Sequence, residues 1–141
     1  MKPIGRAAIA PSPSADVPLY LDAVSAGFPS PADDYVETAL DLNRYLVTNP
    51  AATFMVRVGG DSMIDAGILD GDVLIVDRSR EAKTGRIVVA VVDGELTVKR
   101  LGRFNGRIFL LPENSAYRPI EIHEEQELTI WGVVSGVVRK L

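Results

Sequence analysis

From Ala52 onward the sequence is a series of short apolar runs cut by turn residues, and this pattern limits the fold more than any other feature. Phe54–Val58 breaks at Gly59-Gly60, and Val73–Val76 follows Asp70-Gly71-Asp72. Arg86–Val92 starts after Thr84-Gly85 and ends at Asp93-Gly94, from which Glu95–Leu101 returns. Arg107–Leu111 and Leu128–Val138 complete the set. Runs of this length, rich in Val and Ile and bounded by Gly and Asp, read as strands. Asp-Gly between two such runs suits a two-residue hairpin, because Asp and Gly tolerate the left-handed backbone it needs. Helical signals are few. Leu42, Tyr45 and Leu46 recur at i, i+3 and i+4, which predicts a short helix near 41–47 ended by Pro50. Asp34 and Glu37 have capping-box spacing, with Asp where Ser or Thr is usual. The expected fold class is mostly β. No internal repeat is present.

Ahead of the strands the chain changes character. Residues 1–18 carry Pro3, Pro11, Pro13 and Pro18 among many Ala and Ser, and read as a tail unable to order itself alone. Leu19–Val24 is short and partly apolar, suited to lie against a folded body. Ser25-Ala26-Gly27-Phe28-Pro29-Ser30-Pro31 joins small residues to two prolines that hold the chain extended. Such a segment fits a protease groove as a strand, and equally serves as a linker.

With 141 residues and 47% hydrophobic composition, a single domain with a real core is expected. A net charge of −4 argues against gripping nucleic acid by its phosphates, and no sequence-specific DNA binding is expected. The absence of cysteine excludes disulfides and thiol chemistry, and no cofactor or metal is expected. No apolar stretch reaches the roughly 20 residues that span a bilayer, and no secretory h-region follows Lys2 and Arg6. The chain reads as soluble and cytoplasmic.

Two positions carry candidate chemistry. In Gly60-Asp61-Ser62-Met63 a serine sits on a turn just past a strand end, where an exposed nucleophile is often held. By itself, a turn serine more often satisfies its own backbone. Lys99 interrupts Leu96-Thr97-Val98-Lys99-Arg100-Leu101, and alternation places Thr97, Lys99 and Leu101 on one face with Arg100 on the other. One of the two adjacent cations therefore points inward or into a cleft, unless the strand is an edge whose charges reach water. A lysine desolvated among apolar neighbours loses its proton more easily. The free amine can then take the serine proton, as in a Ser-Lys dyad. Backbone N–H groups of the turn, at Asp61 and Ser62, are placed to stabilise an oxyanion. The single histidine, His123, lies in a polar stretch with Glu124, Glu125 and Glu127, and nothing ties it to Ser62.

Gly60-Asp61-Ser62-Met63-Ile64, Asp70–Asp77 and Asp93–Lys99 together resemble the LexA/UmuD family of self-cleaving serine peptidases. Ala26–Pro31, Pro112–Tyr117 and Trp131–Val134 extend the resemblance, in order, from about Leu19 to the C-terminus. The chain is most similar to the SOS-mutagenesis branch, since nothing ahead of Leu19 is patterned as a helix-turn-helix. The resemblance implies Ser62 as nucleophile, Lys99 as general base and a scissile bond between Ala26 and Gly27. It implies an arm of residues 1–26 removed by self-cleavage from a β-rich domain of residues 27–141. It further implies stimulation by a RecA–single-stranded DNA filament, and a shortened homodimer serving a UmuC-type translesion polymerase. Ala-Gly at the cut is the repressors' pairing, where the mutagenesis proteins commonly have Cys-Gly. Readings from other classes are a non-catalytic interaction module and the C-terminal domain of a phage-type repressor. Ser62→Ala would leave the function of such a module intact.

Overall fold

The computed structural model describes residues 17–20, 23–27 and 36–141. These fall into two compact units, one within Ala7–Thr48 and one containing Asn49–Leu141.

In the first unit, strand β1 (Val17–Tyr20) pairs antiparallel with β2 (Val36–Leu40), in a register running from Val17↔Leu40 to Tyr20↔Val36. Helix α1 (Leu42–Leu46) follows, capped by Asp41, whose carboxylate accepts the Asn43 N–H at 3.0 Å. The helix expected near 41–47 is thus present. Glu37 lies inside β2, where Val36 and Thr38 supply β-branched residues and β1 supplies a pairing edge. Asp34 itself lies outside the described residues, as do Phe28–Pro31 and most of the expected tail. Val17 and Pro18, assigned to that tail from sequence, belong to β1. Ala26 and Gly27 are exposed.

The second unit is built on a seven-stranded sheet ordered β3-β4-β9-β5-β6-β7-β8, with every neighbouring pair antiparallel. Its strands are β3 (Thr53–Arg57), β4 (Val73–Asp77), β5 (Ile87–Val92), β6 (Glu95–Phe104), β7 (Arg107–Leu111), β8 (Ile120–Ile122) and β9 (Leu128–Val138). The β5–β6 hairpin turns at Asp93-Gly94, both with positive φ, as the Asp-Gly signal requires. Asn105-Gly106 turns β6 into β7 in the same way. β9 lies between β4 and β5 and carries two register shifts, one against each neighbour. At Gly132 it passes so close to β4 that an added Cβ would lie 2.7 Å from Val76 Cγ1 and 3.1 Å from the Asp77 carbonyl oxygen.

The core lies on both faces of this sheet. One cluster gathers Val56, Val58, Met63, Ile68, Leu74, Val76 and Val89, with Phe54, Val98 and Trp131 packed against it. The other gathers Val88, Ala90, Leu110 and Val133, with Leu101 and Ile130 against it. Each such fully buried aliphatic side chain contributes about 1.5–3 kcal/mol relative to exposure. Two near-continuous apolar strands, β4 and β5, follow from burial on both faces. None of the helices among the described residues is long and apolar enough to cross a membrane.

Candidate active site

Ser62 stands on the loop that connects β3 to β4, and the loop's ends are tied together. The Val58 N–H donates to the Asp72 carbonyl, and the Gly71 N–H donates to the Val58 carbonyl, each at 2.8 Å. Gly60 turns the chain at φ +88, a conformation side chains rarely adopt, and its N–H donates to the Asp70 carboxylate at 2.7 Å. Directly after the serine, Met63 is 1% exposed and enters the core with Ile68. The Ile64–Ala66 3-10 turn closes between them, with the Ala66 and Ile68 N–H groups donating to the Met63 carbonyl. A buried methionine on one side of the serine and a left-handed glycine on the other leave the hydroxyl little freedom of place.

A second segment grips the same loop from outside. The Glu113 N–H donates to the Ser62 carbonyl at 2.8 Å, and the Asp65 N–H donates back to the Glu113 carbonyl at 2.8 Å. Asn114 Nδ2 donates to the Asp61 carbonyl at 2.9 Å, and the Tyr117 hydroxyl donates to the Asp61 carboxylate at 2.5 Å. That bond to an acceptor anion, with the neighbouring negative charge, raises the Tyr117 pKa above the usual phenol value. The Arg100 guanidinium pairs with the Glu113 carboxylate and donates to the Gly85 carbonyl, which anchors the gripping segment to β6.

Lys99 enters from β6. Its cross-strand partner is Val88 and that of Thr97 is Ala90, and both partners belong to the second core cluster. Residues opposite one another in an antiparallel pair share a face, so the lysine lies over apolar neighbours. It is 9% exposed and, among the described residues, has no carboxylate partner. Of the two adjacent cations, Lys99 therefore points inward, while Arg100 is half-buried and ion-paired. Burial without a counter-charge pushes the Lys99 pKa down.

The lysine Nζ lies 2.9 Å from Ser62 Oγ, 2.7 Å from Thr97 Oγ1 and 3.1 Å from the Val98 carbonyl oxygen. As an ammonium it donates to all three. As a free amine it has two N–H donors and one lone pair, which match two acceptors and the serine O–H. The site thus satisfies both protonation states, and in the neutral one the serine proton is aimed at the lysine.

Among the residues expected from sequence, the structure brings Ser62 and Lys99 together. The amides of Asp61 and Ser62 donate to no group among the described residues. Ala26 and Gly27 belong to the other unit. His123 is exposed, and its N–H is occupied by the Gln126 side chain. No cluster of three or more His, Asp or Glu that could hold a metal occurs among the described residues. Sequence reasoning missed the roles of Thr97, Glu113, Asn114 and Tyr117. Thr97 carried a signal, since it shares the lysine's face two residues away. The other three carried none, because their contacts bridge distant parts of the chain.

The family described as Peptidase S24-like matches residues 18–135. The chain is 49% identical over 123 residues to protein SamA of Salmonella typhimurium, covering 87% of this chain and 85% of that protein. It is 48% identical over 120 residues to protein MucA of Escherichia coli, covering 84% and 82%. It is also 48% identical over 120 residues to LexA repressor 1 of Xanthomonas oryzae pv. oryzae, covering 85% of this chain and 59% of that one.

Proposed function

The chain belongs to the Peptidase S24-like family, and we propose that it is a self-processing serine peptidase whose nucleophile is Ser62 and whose general base is Lys99. The observation that carries this reading is the 2.9 Å contact between Ser62 Oγ and a buried lysine that has no carboxylate partner among the described residues. The substrate is the chain's own Ala26-Gly27 bond. Lys99 Nζ takes the hydroxyl proton as Ser62 Oγ attacks the Ala26 carbonyl carbon. The oxyanion is received by the amides of Asp61 and Ser62. Collapse breaks the bond to the Gly27 nitrogen, and Lys99 returns its proton to that leaving amine. Water then hydrolyses the ester on Ser62.

Because substrate and enzyme share one chain, docking the cleavage segment is governed by effective concentration rather than affinity. A weakly populated docked state keeps the reaction slow. A RecA–single-stranded DNA filament that favours that state accelerates it by population shift, without supplying catalytic groups. The shortened product, residues 27–141, acts as a homodimer and as the accessory subunit of a UmuC-type translesion polymerase in the SOS response. Its place of action is the cytoplasm. The similarity to SamA and MucA, which covers most of both chains, supports reading this chain as a protein of their kind.

The test is the intact mass of the purified full chain after incubation alone at neutral and at alkaline pH. A fragment beginning at Gly27, formed faster at high pH and absent from Ser62→Ala, is the expected result. A folded chain that stays whole at every pH and with added RecA filament would overturn the reading in favour of an interaction module.

A further inference from the structure

The loop that carries Ser62 has a third attachment, made by the first residue after β9. Arg139 Nε donates to Asp72 Oδ1 and Arg139 Nη2 to Asp72 Oδ2, each at 2.7 Å. The same Nη2 donates to the Gly67 carbonyl at 2.9 Å. Asp72 is 1% exposed, and its Oδ2 also accepts the Leu69 N–H at 2.7 Å. One planar guanidinium therefore binds the neck of the loop at Asp72 and its far turn at Gly67, while the carboxylate between them binds Leu69. A planar fork holds the carboxylate by two parallel N–H bonds in fixed directions, which a rotating ammonium does not enforce. Gly67 and Leu69 flank Ile68, whose N–H bonds the carbonyl of Met63, the residue next to Ser62.

We propose that Arg139 is a positioning residue for the nucleophile, fixing the Gly59–Asp72 loop so that Ser62 Oγ stays within reach of Lys99 Nζ. This rests on the proposed peptidase reading. Arg139 touches neither Ser62 nor Lys99, so its effect passes through Asp72, Gly67 and the Met63–Ile68 turn. It also links that loop to the end of β9, where Val138 pairs with Val73 and Val137 and Val138 are exposed. A partner that binds this strand end and moves Arg139 would change the nucleophile's placement from a distance.

Misplacing reacting atoms by about 1 Å costs on the order of a hundredfold in rate. Arg139→Gln keeps an uncharged donor and loses the fork, and Arg139→Lys keeps the charge and loses the fork. Two readouts are taken on the full chain at a temperature where each variant retains its native circular dichroism. One is the rate of self-cleavage across alkaline pH. The other is the rate of Ser62 labelling by an alkyl fluorophosphonate, which needs no docked cleavage segment. Both variants are expected to lose tenfold or more at the high-pH plateau and to slow labelling in the same proportion, with the midpoint of the pH profile unmoved. Wild-type rates in either folded variant would overturn the proposal. So would normal labelling with slowed cleavage, which assigns Arg139 to docking of the segment, and so would a shifted midpoint at an unchanged plateau. If Arg139→Gln does not fold, Arg139→Lys decides alone. If neither folds, methylguanidine added to Arg139→Ala is expected to restore labelling, and folding regained without labelling would refute the positioning role. A wild-type chain that neither cleaves nor labels at Ser62 removes the peptidase reading itself, and this proposal with it.

Discussion

Lys99 Nζ lies 2.9 Å from Ser62 Oγ across 37 residues of sequence, and the lysine forms no ion pair with a carboxylate among the described residues. A lysine so placed can accept the serine proton only after losing its own, and a guanidinium cannot do so in a protein. Lys99→Arg is therefore expected to abolish self-cleavage at every pH while keeping the fold, as is Ser62→Ala. Intact mass of the incubated proteins measures this. Appreciable cleavage by Lys99→Arg would remove the lysine from the role of base.

The pH dependence has a definite sign. Burial lowers the Lys99 pKa from the ordinary 10.5. The cleavage rate should rise as pH passes upward through the lowered value and level off before 10.5. Stability moves in the same direction. Below the folded-state pKa both states carry the proton, and the native state suffers the desolvated charge in full. Between that value and 10.5 the unfolded chain binds more protons, so stability increases with pH. Urea midpoints of wild type should thus gain on those of Lys99→Met over that window, and a constant gap would contradict the depressed pKa.

Much of this was legible before any coordinates. The strands from Phe54 to Val138 announce themselves through β-branched runs and Gly-containing turns, because those signals are local. The inward lysine was legible as one of two alternatives, since alternation fixes faces but not which face is buried. Pairing with Val88 and Ala90 decides it, and that is a tertiary fact. β1, β2 and β8 escaped notice for a related reason. Val17–Tyr20 contains a proline, Val36–Leu40 carries a capping-box spacing, and Ile120–Ile122 is three residues long, so only partner strands make them extended. The grip of Glu113, Asn114 and Tyr117 on Asp61 and Ser62 has no periodic signature at all.

Thr97 Oγ1 accepts from Lys99 Nζ at 2.7 Å, and Ala90 opposite offers no polar group to replace it. Thr97→Val keeps the shape and removes the acceptor. The lysine then keeps Ser62 and the Val98 carbonyl but loses its direction, and the cleavage plateau should fall by up to about tenfold, the upper end for one hydrogen bond between neutral groups. Thr97→Ser should restore most of the rate. Equal rates for the valine and serine variants would show that packing, not the hydroxyl, matters at this position.

Two glycines on the sheet separate backbone crowding from side-chain crowding. A Cβ at Gly132 would meet the β-branched Val76 at 2.7 Å and the Asp77 backbone at 3.1 Å, neither of which swings aside. A Cβ at Gly102 would meet Leu111 Cδ1 at 2.7 Å, the tip of a side chain with other rotamers. Gly132→Ala is expected to destabilise by about 1–3 kcal/mol, as overpacked cores do, and Gly102→Ala by clearly less. Urea denaturation of the two variants checks the order, and a reversed order would mean that Leu111 is the less yielding neighbour.

The cleavage segment allows processing to be separated from folding. Gly27 is exposed, its N–H donates to Ser25 Oγ at 3.2 Å, and an added Cβ would meet no described residue within 4 Å. A bulky side chain there has room in the resting chain, so Gly27→Trp should unfold at the same urea concentration as wild type. In the proposed docked pose the residue after the cut lies beside Ser62, and a bulky side chain at this position is expected to block docking. Gly27→Trp should therefore keep Ser62 reactive toward a small fluorophosphonate while its own bond stays uncut at alkaline pH. Cleavage at the wild-type rate would place the scissile bond elsewhere. Lost labelling would show instead that the tryptophan reaches and blocks the nucleophile in the undocked chain.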